Sequence, residues 1–190
     1  MQKSVAKLIK IFATLFLYKR RKKMFQKFYP SEDWASVYEI PFEQYYKQGY
    51  RGLLFDVDNT LVTHGSPADQ RAKELFGRLK RIGYEVCLIS NNKEPRVASF
   101  SKDAGIDYYI FKANKPSAKG YLQGMEKMGT NKKNTIFIGD QIFTDVYGAN
   151  KVGIKSILVK PIHPKEEIQI VLKRYLERIV LREYKRKKNR

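Results

Sequence analysis

Four groups of polar residues stand out in the sequence because their side chains could carry out chemistry together. The first group, Asp56-Val57-Asp58-Asn59-Thr60, places two carboxylates two residues apart. The other groups are Ser90 with Asn91, then Lys115, and then Asp140 with Asp145. If the carboxylates converge, they repel one another unless a cation lies among them, and a site of oxygen ligands favours Mg²⁺ over zinc. The residue types therefore predict a magnesium site.

The hydrogen-bond donors in these groups indicate what such a metal site could act on. A lysine supplies a point charge, and a hydroxyl and an amide supply fixed donors, which together suit a phosphate group. A carboxylate held against a phosphoryl group beside Mg²⁺ can attack it and form an acyl phosphate. A second carboxylate two residues later can protonate the leaving oxygen and then activate water. The combination predicts hydrolysis of a phosphate ester.

Five apolar segments, each predicted to be a β-strand, position these residues. They alternate with helical patterns, which predicts an α/β fold with a parallel five-stranded sheet and helices on both faces. The strand segments are 53–55, 84–89, 108–111, 135–138 and 154–159, and the helices begin near residues 66, 94, 116, 144 and 168. The polar groups follow the first four strands, and the carboxyl ends of parallel strands share one edge of a sheet. We therefore expect the four groups to meet.

The same residues resemble the motifs of the haloacid dehalogenase (HAD) superfamily. The Asp56-to-Thr60 segment is similar to its first motif, DxDxT, while Ser90, Lys115 and the pair Asp140 and Asp145 match its second, third and fourth motifs in order. The segments 88–92, 115–116 and 139–146 resemble more narrowly the YqeG-like phosphatases of HAD subclass IIIA, over roughly residues 25 to 180. One departure is Gly148-Ala149-Asn150, where Gly-Gly-Asn is expected. The resemblance implies a Rossmann-like fold and a phosphomonoester hydrolase.

The resemblance also implies a role for each site residue. Asp56 would be the nucleophile and a Mg²⁺ ligand, and Asp58 would be the general acid and base and would bind the metal through its backbone carbonyl. Asp140 would be a further ligand, supported by Asp145 directly or through water. Ser90, Asn91 and Lys115 would hold the phosphate. The alternative for any single Asp is a helix cap or turn residue, and this alternative is most serious for Asp145.

The spacing between motifs leaves no room for the cap domain that usually covers the site in HAD enzymes. Only residues 61–65 separate the first motif from the next predicted helix, and one helix and one strand occupy residues 93–114. We therefore expect an open site that accepts a phosphate on a bulky molecule. The first hypothesis is a lipid substrate such as phosphatidylglycerophosphate, because the YqeG-like family is similar to mitochondrial phosphatases for that lipid. The alternatives are a soluble phosphatase for nucleotides or nucleic-acid ends, and a non-catalytic binding module.

Residues 1–31 differ from the rest of the chain, since they contain no Asp or Glu, and they predict a boundary before a phosphatase domain at residues 32–190. Lys3, Lys7 and Lys10 share one stripe of a basic amphipathic helix. The lysines interrupt the apolar run that a spanning helix needs, so residues 1–23 are expected to lie on an anionic membrane surface. The alternative is a helix docked on the domain core.

Composition limits the partners and the compartment. Lys and Arg number 38 against 19 Asp and Glu, which gives a net charge of +19 and a surface that attracts phosphorylated substrates, anionic lipid or nucleic acid. The single cysteine, Cys87, lies in an apolar run and is expected to be buried. With no internal disulfide possible, a cytoplasmic location is expected, with peripheral attachment to the membrane.

Overall fold

A computed structural model shows a parallel sheet of six strands with helices on both faces. The structure describes residues 25–163 and 168–188, and for residues 168–176 it describes the backbone alone. The predicted α/β class is confirmed, with one strand more than the five predicted.

The strands and helices alternate along most of the chain. The strands are β1 (Glu32–Trp34), β2 (Gly52–Phe55), β3 (Glu85–Ile89), β4 (Tyr108–Ile110), β5 (Thr135–Gly139) and β6 (Lys155–Val159). The helices are α1 (Phe42–Lys47), α2 (Gln70–Ile82), α3 (Glu94–Ala104), α4 (Ala118–Lys127), α5 (Tyr147–Val152) and α6 (Ile168–Lys188). A short 3₁₀ helix spans Val37–Glu39, and a π-helical segment spans Ile142–Val146.

The strand that sequence reasoning missed is β1, at the edge of the sheet. It has three residues, two of them acidic, so it lacks the apolar pattern that identified the other strands. It pairs in parallel with β6, with Glu32 opposite Ile157. The carboxylate of Glu32 forms an ion pair with Lys155 and accepts a hydrogen bond from the Tyr45 hydroxyl. Tertiary contacts, and not local propensity, therefore hold this strand in place.

The order of the strands places a crevice between β2 and β5. The order is β1-β6-β5-β2-β3-β4, so the chain moves from β2 outward through β3 and β4 and then returns to the other side of β2. Helices on either side of this reversal diverge, and ligands bind at such a point beyond the carboxyl ends of the strands. Asp56 follows β2 and Asp140 follows β5, so both lie at the reversal.

The two faces of the sheet are covered by different helices. Successive residues of a strand face opposite sides, and accordingly Leu53 and Phe55 pack with α1, α2 and α3, whereas Leu54 packs with α4 and α5. Each such buried side chain contributes about 1.5–3 kcal/mol to stability. Cys87 lies in the second cluster, as predicted, and burial raises the pKa of its thiol to about 12.

Three helices begin later than their sequence signals predict. Helix α5, expected near residue 144, begins at Tyr147, because the π-helical segment occupies Ile142–Val146. Helix α2 was expected to start at Ser66, but its N-cap is Asp69, whose carboxylate accepts a hydrogen bond from the Ala72 amide at 2.7 Å. Ser66 instead pairs its hydroxyl with that of Thr63 in the preceding loop. Helix α4 begins at Ala118 with Ser117 as its cap. For α2 and α4, a capping residue further along the chain than the predicted start sets the beginning of the helix.

The described residues before β1 pack against α5 and the π-helical segment. The Phe28 ring lies 5.2 Å from that of Phe143 and 4.8 Å from that of Tyr147. The side-chain amide of Asn150 donates to the carbonyl oxygens of Lys27 and Tyr29, at 3.0 and 2.9 Å. The predicted amphipathic helix in residues 1–23 lies outside the described residues and stays a prediction. Within the described ranges, no helix has the length and apolar character needed to cross a membrane.

Candidate active site

The turn after β2 folds the first motif back on itself. The amide of Asp56 continues the strand ladder by donating to the Ile138 carbonyl at 2.9 Å. Asn59 then adopts a left-handed conformation with φ of 64°, which Asn tolerates better than most residues. The turn brings the Thr60 hydroxyl within 3.2 Å of one oxygen of Asp56 and within 3.2 Å of one oxygen of Asp140. Thr60 therefore links the first motif to the end of β5, a role that sequence reasoning did not assign.

The π-helical segment after β5 turns Asp145 back toward the end of its own strand. The Asp145 carboxylate accepts a hydrogen bond from the Gln141 amide at 3.0 Å. A Cβ atom added to Gly139 would lie 2.5 Å from Oδ2 of Asp145, so only glycine allows this approach. The buried Tyr121 hydroxyl, from α4, donates to the carbonyls of Thr144 and Asp145, at 2.8 and 3.2 Å. These contacts fix a carboxylate that sequence reasoning could not separate from a turn residue.

Three carboxylates and one lysine converge at the crevice. Oxygens of Asp56, Asp140 and Asp145 all lie within 4.8 Å of one another, and each of the three residues is at most 8% exposed. The ammonium group of Lys115 lies 2.5 Å from Asp56 and 2.8 Å from Asp145. With all three carboxylates ionised, the single ammonium leaves an excess of two negative charges. This oxygen-only cluster fits a divalent cation of the hard type.

The charges in the cluster perturb one another. Burial raises the pKa of Asp56 above its usual range; the Lys115 ammonium lowers it in part, and the carboxylate of Asp145 raises it further. For Lys115, burial lowers the pKa, but the carboxylates of Asp145 and Asp56 raise it by more, so the net pKa lies above the usual lysine value. The lysine is therefore a permanent cation, and the crowded carboxylates favour any added positive charge.

The second and third motifs are joined through backbone contacts. The Asn91 side chain accepts a hydrogen bond from the Lys115 amide at 2.7 Å and donates to the Lys115 carbonyl at 3.3 Å. The peptide bond from Lys115 to Pro116 is cis. The buried Ser90 hydroxyl accepts from the Asn92 amide at 3.1 Å. Asn91 thus positions the lysine, while phosphate binding by Ser90, Asn91 and Lys115 stays a prediction.

The side chain of Asp58 lies apart from the carboxylate cluster. Its carboxylate accepts hydrogen bonds from the Asn92 side chain at 2.6 Å, the Arg96 guanidinium at 2.9 Å and the Gly65 amide at 2.8 Å. The predicted general acid and base is therefore held against the loop after β3 and the first turn of α3. An arginine in a helix carries no sequence signal for this contact, so Arg96 was missed.

The described connections that follow β2 and β3 contain no cap domain. Residues 56–69, between the first motif and α2, form no regular strand or helix, and α3 alone fills the connection between β3 and β4. The prediction of an uncapped site is therefore confirmed for these two connections, which are the usual positions of a cap. The buried carboxylate of Asp56 therefore lies in a crevice that neither connection covers.

Comparisons with known proteins agree on the class of enzyme. The family model for haloacid dehalogenase-like hydrolases matches residues 66–153. The Bacillus subtilis protein named "Probable phosphatase YqeG" is 37% identical over 166 residues, which cover 86% of this chain and 96% of that protein.

Two further matches are more distant. Phosphatidylglycerophosphate phosphatase 1 of Arabidopsis thaliana is 28% identical over 78% of this chain, and the match spans 45% of that longer protein. The solved structure of a hypothetical protein from Xanthomonas campestris is similar with a TM-score of 0.50 at 18% identity, covering 69% of this chain and 76% of that one. The structural likeness supports the fold alone.

Proposed function

Because the chain belongs to the haloacid dehalogenase-like hydrolases and, within them, to the YqeG-like phosphatases, we propose that it hydrolyses a phosphomonoester through an aspartyl-phosphate on Asp56. The proposed substrate is a bulky or membrane lipid such as phosphatidylglycerophosphate. The observation that carries the mechanism is the buried cluster of Asp56, Asp140 and Asp145 around Lys115, at the point where the strand order reverses.

The proposed cofactor is Mg²⁺. Asp56, Asp140 and Asp145 would hold it with carboxylate oxygens, together with the backbone carbonyl of Asp58, and the two excess negative charges of the cluster suit a divalent ion. When bound, Mg²⁺ supplies positive charge that offsets the charge on the phosphoryl oxygens.

The proposed hydrolysis has two steps, formation of the aspartyl-phosphate and its reaction with water. A carboxylate oxygen of Asp56 attacks phosphorus, the bond from phosphorus to the alcohol oxygen breaks, and protonated Asp58 gives its proton to that oxygen. Water next attacks the aspartyl-phosphate and loses a proton to Asp58, which releases inorganic phosphate and regenerates Asp56. For both steps, the Asp58 carboxylate must turn from Arg96 and Asn92 toward the reacting oxygen. Lys115, Ser90 and Asn91 orient the phosphoryl oxygens.

Three features support a lipid substrate over a small metabolite. The uncapped site leaves room for a bulky leaving group, and the net charge of +19 favours an anionic surface. The Arabidopsis relative carries the name of a phosphatidylglycerophosphate phosphatase. We therefore infer a cytoplasmic enzyme that attaches peripherally to an anionic membrane through residues 1–23.

A phosphatase assay on the full chain tests the proposal. The substrates are phosphatidylglycerophosphate in detergent micelles, a 5′-nucleotide, a 5′-phosphorylated oligonucleotide and p-nitrophenyl phosphate. We expect the highest kcat/KM on the lipid, full loss of activity in EDTA, and recovery with Mg²⁺ but not with Zn²⁺. A preference for the nucleotide or oligonucleotide would replace the lipid proposal with the nucleic-acid alternative. Activity that survives exhaustive chelation would contradict the metal site.

A further inference from the structure

A cavity of about 530 Å³ adjoins the carboxylate cluster on the side of β6 and β1. Its walls come from the carboxyl ends of β1 and β6, from the loop after β6, and from the described part of α6. Asp140 belongs both to this wall and to the carboxylate cluster, so the cavity and the reaction site share a residue. The volume lies in the range of ligand pockets and suits a headgroup with its first methylene groups, not a whole lipid.

One part of the cavity wall is apolar. Trp34 at the end of β1 and Leu181 of α6 face it, together with Pro161 from the loop after β6. That loop also reaches the first motif, since the Ile162 amide donates to the Asn59 carbonyl at 3.0 Å, and Ile162 itself is 44% exposed. An apolar surface therefore continues from the cavity to the mouth of the active site.

The charged part of the wall contains three basic and three acidic residues. Lys160, Arg178 and Lys185 contribute the cationic groups. Lys185 interacts electrostatically with Asp33 and lowers its pKa, but among the described side chains none of the three forms an ion pair within 4 Å of a carboxylate. Of the three acids, Asp140 belongs to the carboxylate cluster, Asp33 pairs with Lys188 at 2.6 Å, and Glu177 accepts from the Ile142 amide at 2.7 Å. Lys188, from outside the wall, offsets the charge of Asp33, and Asp140 belongs to the cluster at the reaction site. The three cations therefore outnumber the remaining acid, Glu177, and they lie beside apolar surface, a combination complementary to an anionic lipid headgroup.

We propose that this cavity binds the phosphodiester and adjoining glycerol of a phospholipid whose terminal phosphate lies at Asp56. The inference rests on the proposed function for the position of that terminal phosphate. One glycerol unit separates the two phosphates of such a lipid, and the shared wall at Asp140 places the two sites side by side. The acyl chains leave along the apolar side, past Pro161 and Ile162, toward the membrane.

Trp34 provides a direct measurement, because it is the single tryptophan of the chain and lines the cavity. Titration of the full chain with monomeric dihexanoyl-phosphatidylglycerol, the short-chain form of the lipid product, should change its fluorescence in a saturable manner. The double variant K160Q/R178Q should raise the half-saturating concentration about tenfold. The control K132Q/K133Q removes the same charge from exposed residues in the loop that precedes β5, at the amino ends of the strands, whereas the cavity lies at their carboxyl ends. This control should leave the half-saturating concentration unchanged.

Two results would overturn the cavity proposal: no saturable change in Trp34 fluorescence, or equal half-saturation in the cavity and control variants. A fluorescence response that appears only after deletion of residues 2–23 would also overturn it, because residues 2–23 would then occupy the cavity in the full chain. Hydrolysis measured in parallel separates this proposal from the proposed function. A wild-type protein that binds the short-chain lipid as described but releases no phosphate from phosphatidylglycerophosphate would retain the cavity site and refute the lipid phosphatase.

Discussion

Lys115 is the residue on which the electrostatics of the buried cluster depend. It supplies one positive charge to three buried carboxylates through two short ion pairs. Without Mg²⁺, the cluster is a source of repulsion in the folded state. Substitutions that change the charge of the cluster in opposite directions should therefore change the stability of the fold in opposite directions.

The matched variants Asp56→Asn and Lys115→Met test this dependence. Both should lose phosphatase activity. In EDTA, however, Asp56→Asn removes a repelling charge and should melt at or above the wild-type temperature, whereas Lys115→Met removes the ion-pair partner of both Asp56 and Asp145. Such a loss costs about 3 kcal/mol, or roughly 6–12 °C in Tm for a chain of this size. Equal Tm values for the two variants, or measurable Mg²⁺-dependent activity in Asp56→Asn, would contradict the roles assigned here.

A substitution at Gly139 tests whether Mg²⁺ binding and activity depend on the position of the Asp145 carboxylate. A methyl group at residue 139 would overlap the Asp145 carboxylate, because the added Cβ lies 2.5 Å from Oδ2. We expect Gly139→Ala to move Asp145, to weaken Mg²⁺ binding and to lower activity about 10- to 100-fold. Gly77→Ala in α2 is the control, since its nearest neighbour is 3.8 Å away and alanine suits a helix. An active Gly139→Ala enzyme with unaltered Mg²⁺ dependence would show that Asp145 is only a turn residue.

At the scale of elements, the π-helical segment after β5 carries the last carboxylate of the site. Its hydrogen bonds run from the amides of Asp145 and Val146 to the Gln141 carbonyl, at 3.0 and 3.2 Å. The wider turn is rare in proteins and common at functional sites. Tyr121 holds this segment from the neighbouring helix, so the helix α4 contributes to the site without supplying a ligand.

The variant Tyr121→Phe tests whether the Tyr121 hydroxyl supports activity in addition to the stability of the fold. The variant removes the hydroxyl that donates to the carbonyls of Thr144 and Asp145. We expect a loss of about 1 kcal/mol, or about 2–4 °C in Tm, together with a fall in activity of about tenfold. Tyr84→Phe removes a similar buried hydrogen bond, to the Phe42 carbonyl at 2.8 Å, far from the cluster. It should lower Tm by the same amount and leave activity intact; equal activities in the two variants would refute the supporting role.

The elements also show which features can be predicted from sequence and which cannot. Strands β2 to β6 were found because buried parallel strands are continuous apolar runs, and the site residues were found because they follow those runs. Strand β1 was missed because Glu32 and Asp33 are stabilised by Lys155 and Lys188, which are more than 120 residues away. The contact between Arg96 and Asp58 was missed for the same reason. Local sequence determines the strands, whereas pairing between distant residues determines the sheet edge and the resting position of Asp58.

At the scale of the whole molecule, the proposed membrane attachment is argued from the basic N-terminal segment and from the uncapped connections after β2 and β3. Residues 1–23 carry the run Lys19-Arg20-Arg21-Lys22-Lys23 after an apolar stretch. Each basic residue near an anionic surface contributes about 1 kcal/mol to binding. The segment joins a part of the chain that packs on α5 through Phe28 and Asn150, so attachment would hold the domain close to the bilayer.

Deletion of residues 2–23 tests this attachment. The truncated protein should no longer sediment with anionic vesicles and should lose activity on a lipid phosphate in a bilayer. It should keep activity on p-nitrophenyl phosphate, because Asp56, Asp58 and Asp140 are unchanged. Replacement of residues 19–23 with Gln should weaken vesicle binding in a salt-dependent way. If the truncated protein instead melts early and loses both activities alike, the segment packs on the domain core.

The pairing of β1 with β6 has a consequence for synthesis of the chain on the ribosome. The hydrogen bond between Ser31 and Ser156 joins residues 125 positions apart, so β1 cannot pair until β6 has been synthesised. At a synthesis rate of about 5–20 residues per second, the delay between Ser31 and Ser156 is roughly 6 to 25 s. During this interval β2 to β5 can already assemble, while the N-terminal residues are still unpaired. If residues 1–23 form the proposed membrane anchor, they have this interval to bind a bilayer before β1 joins the sheet.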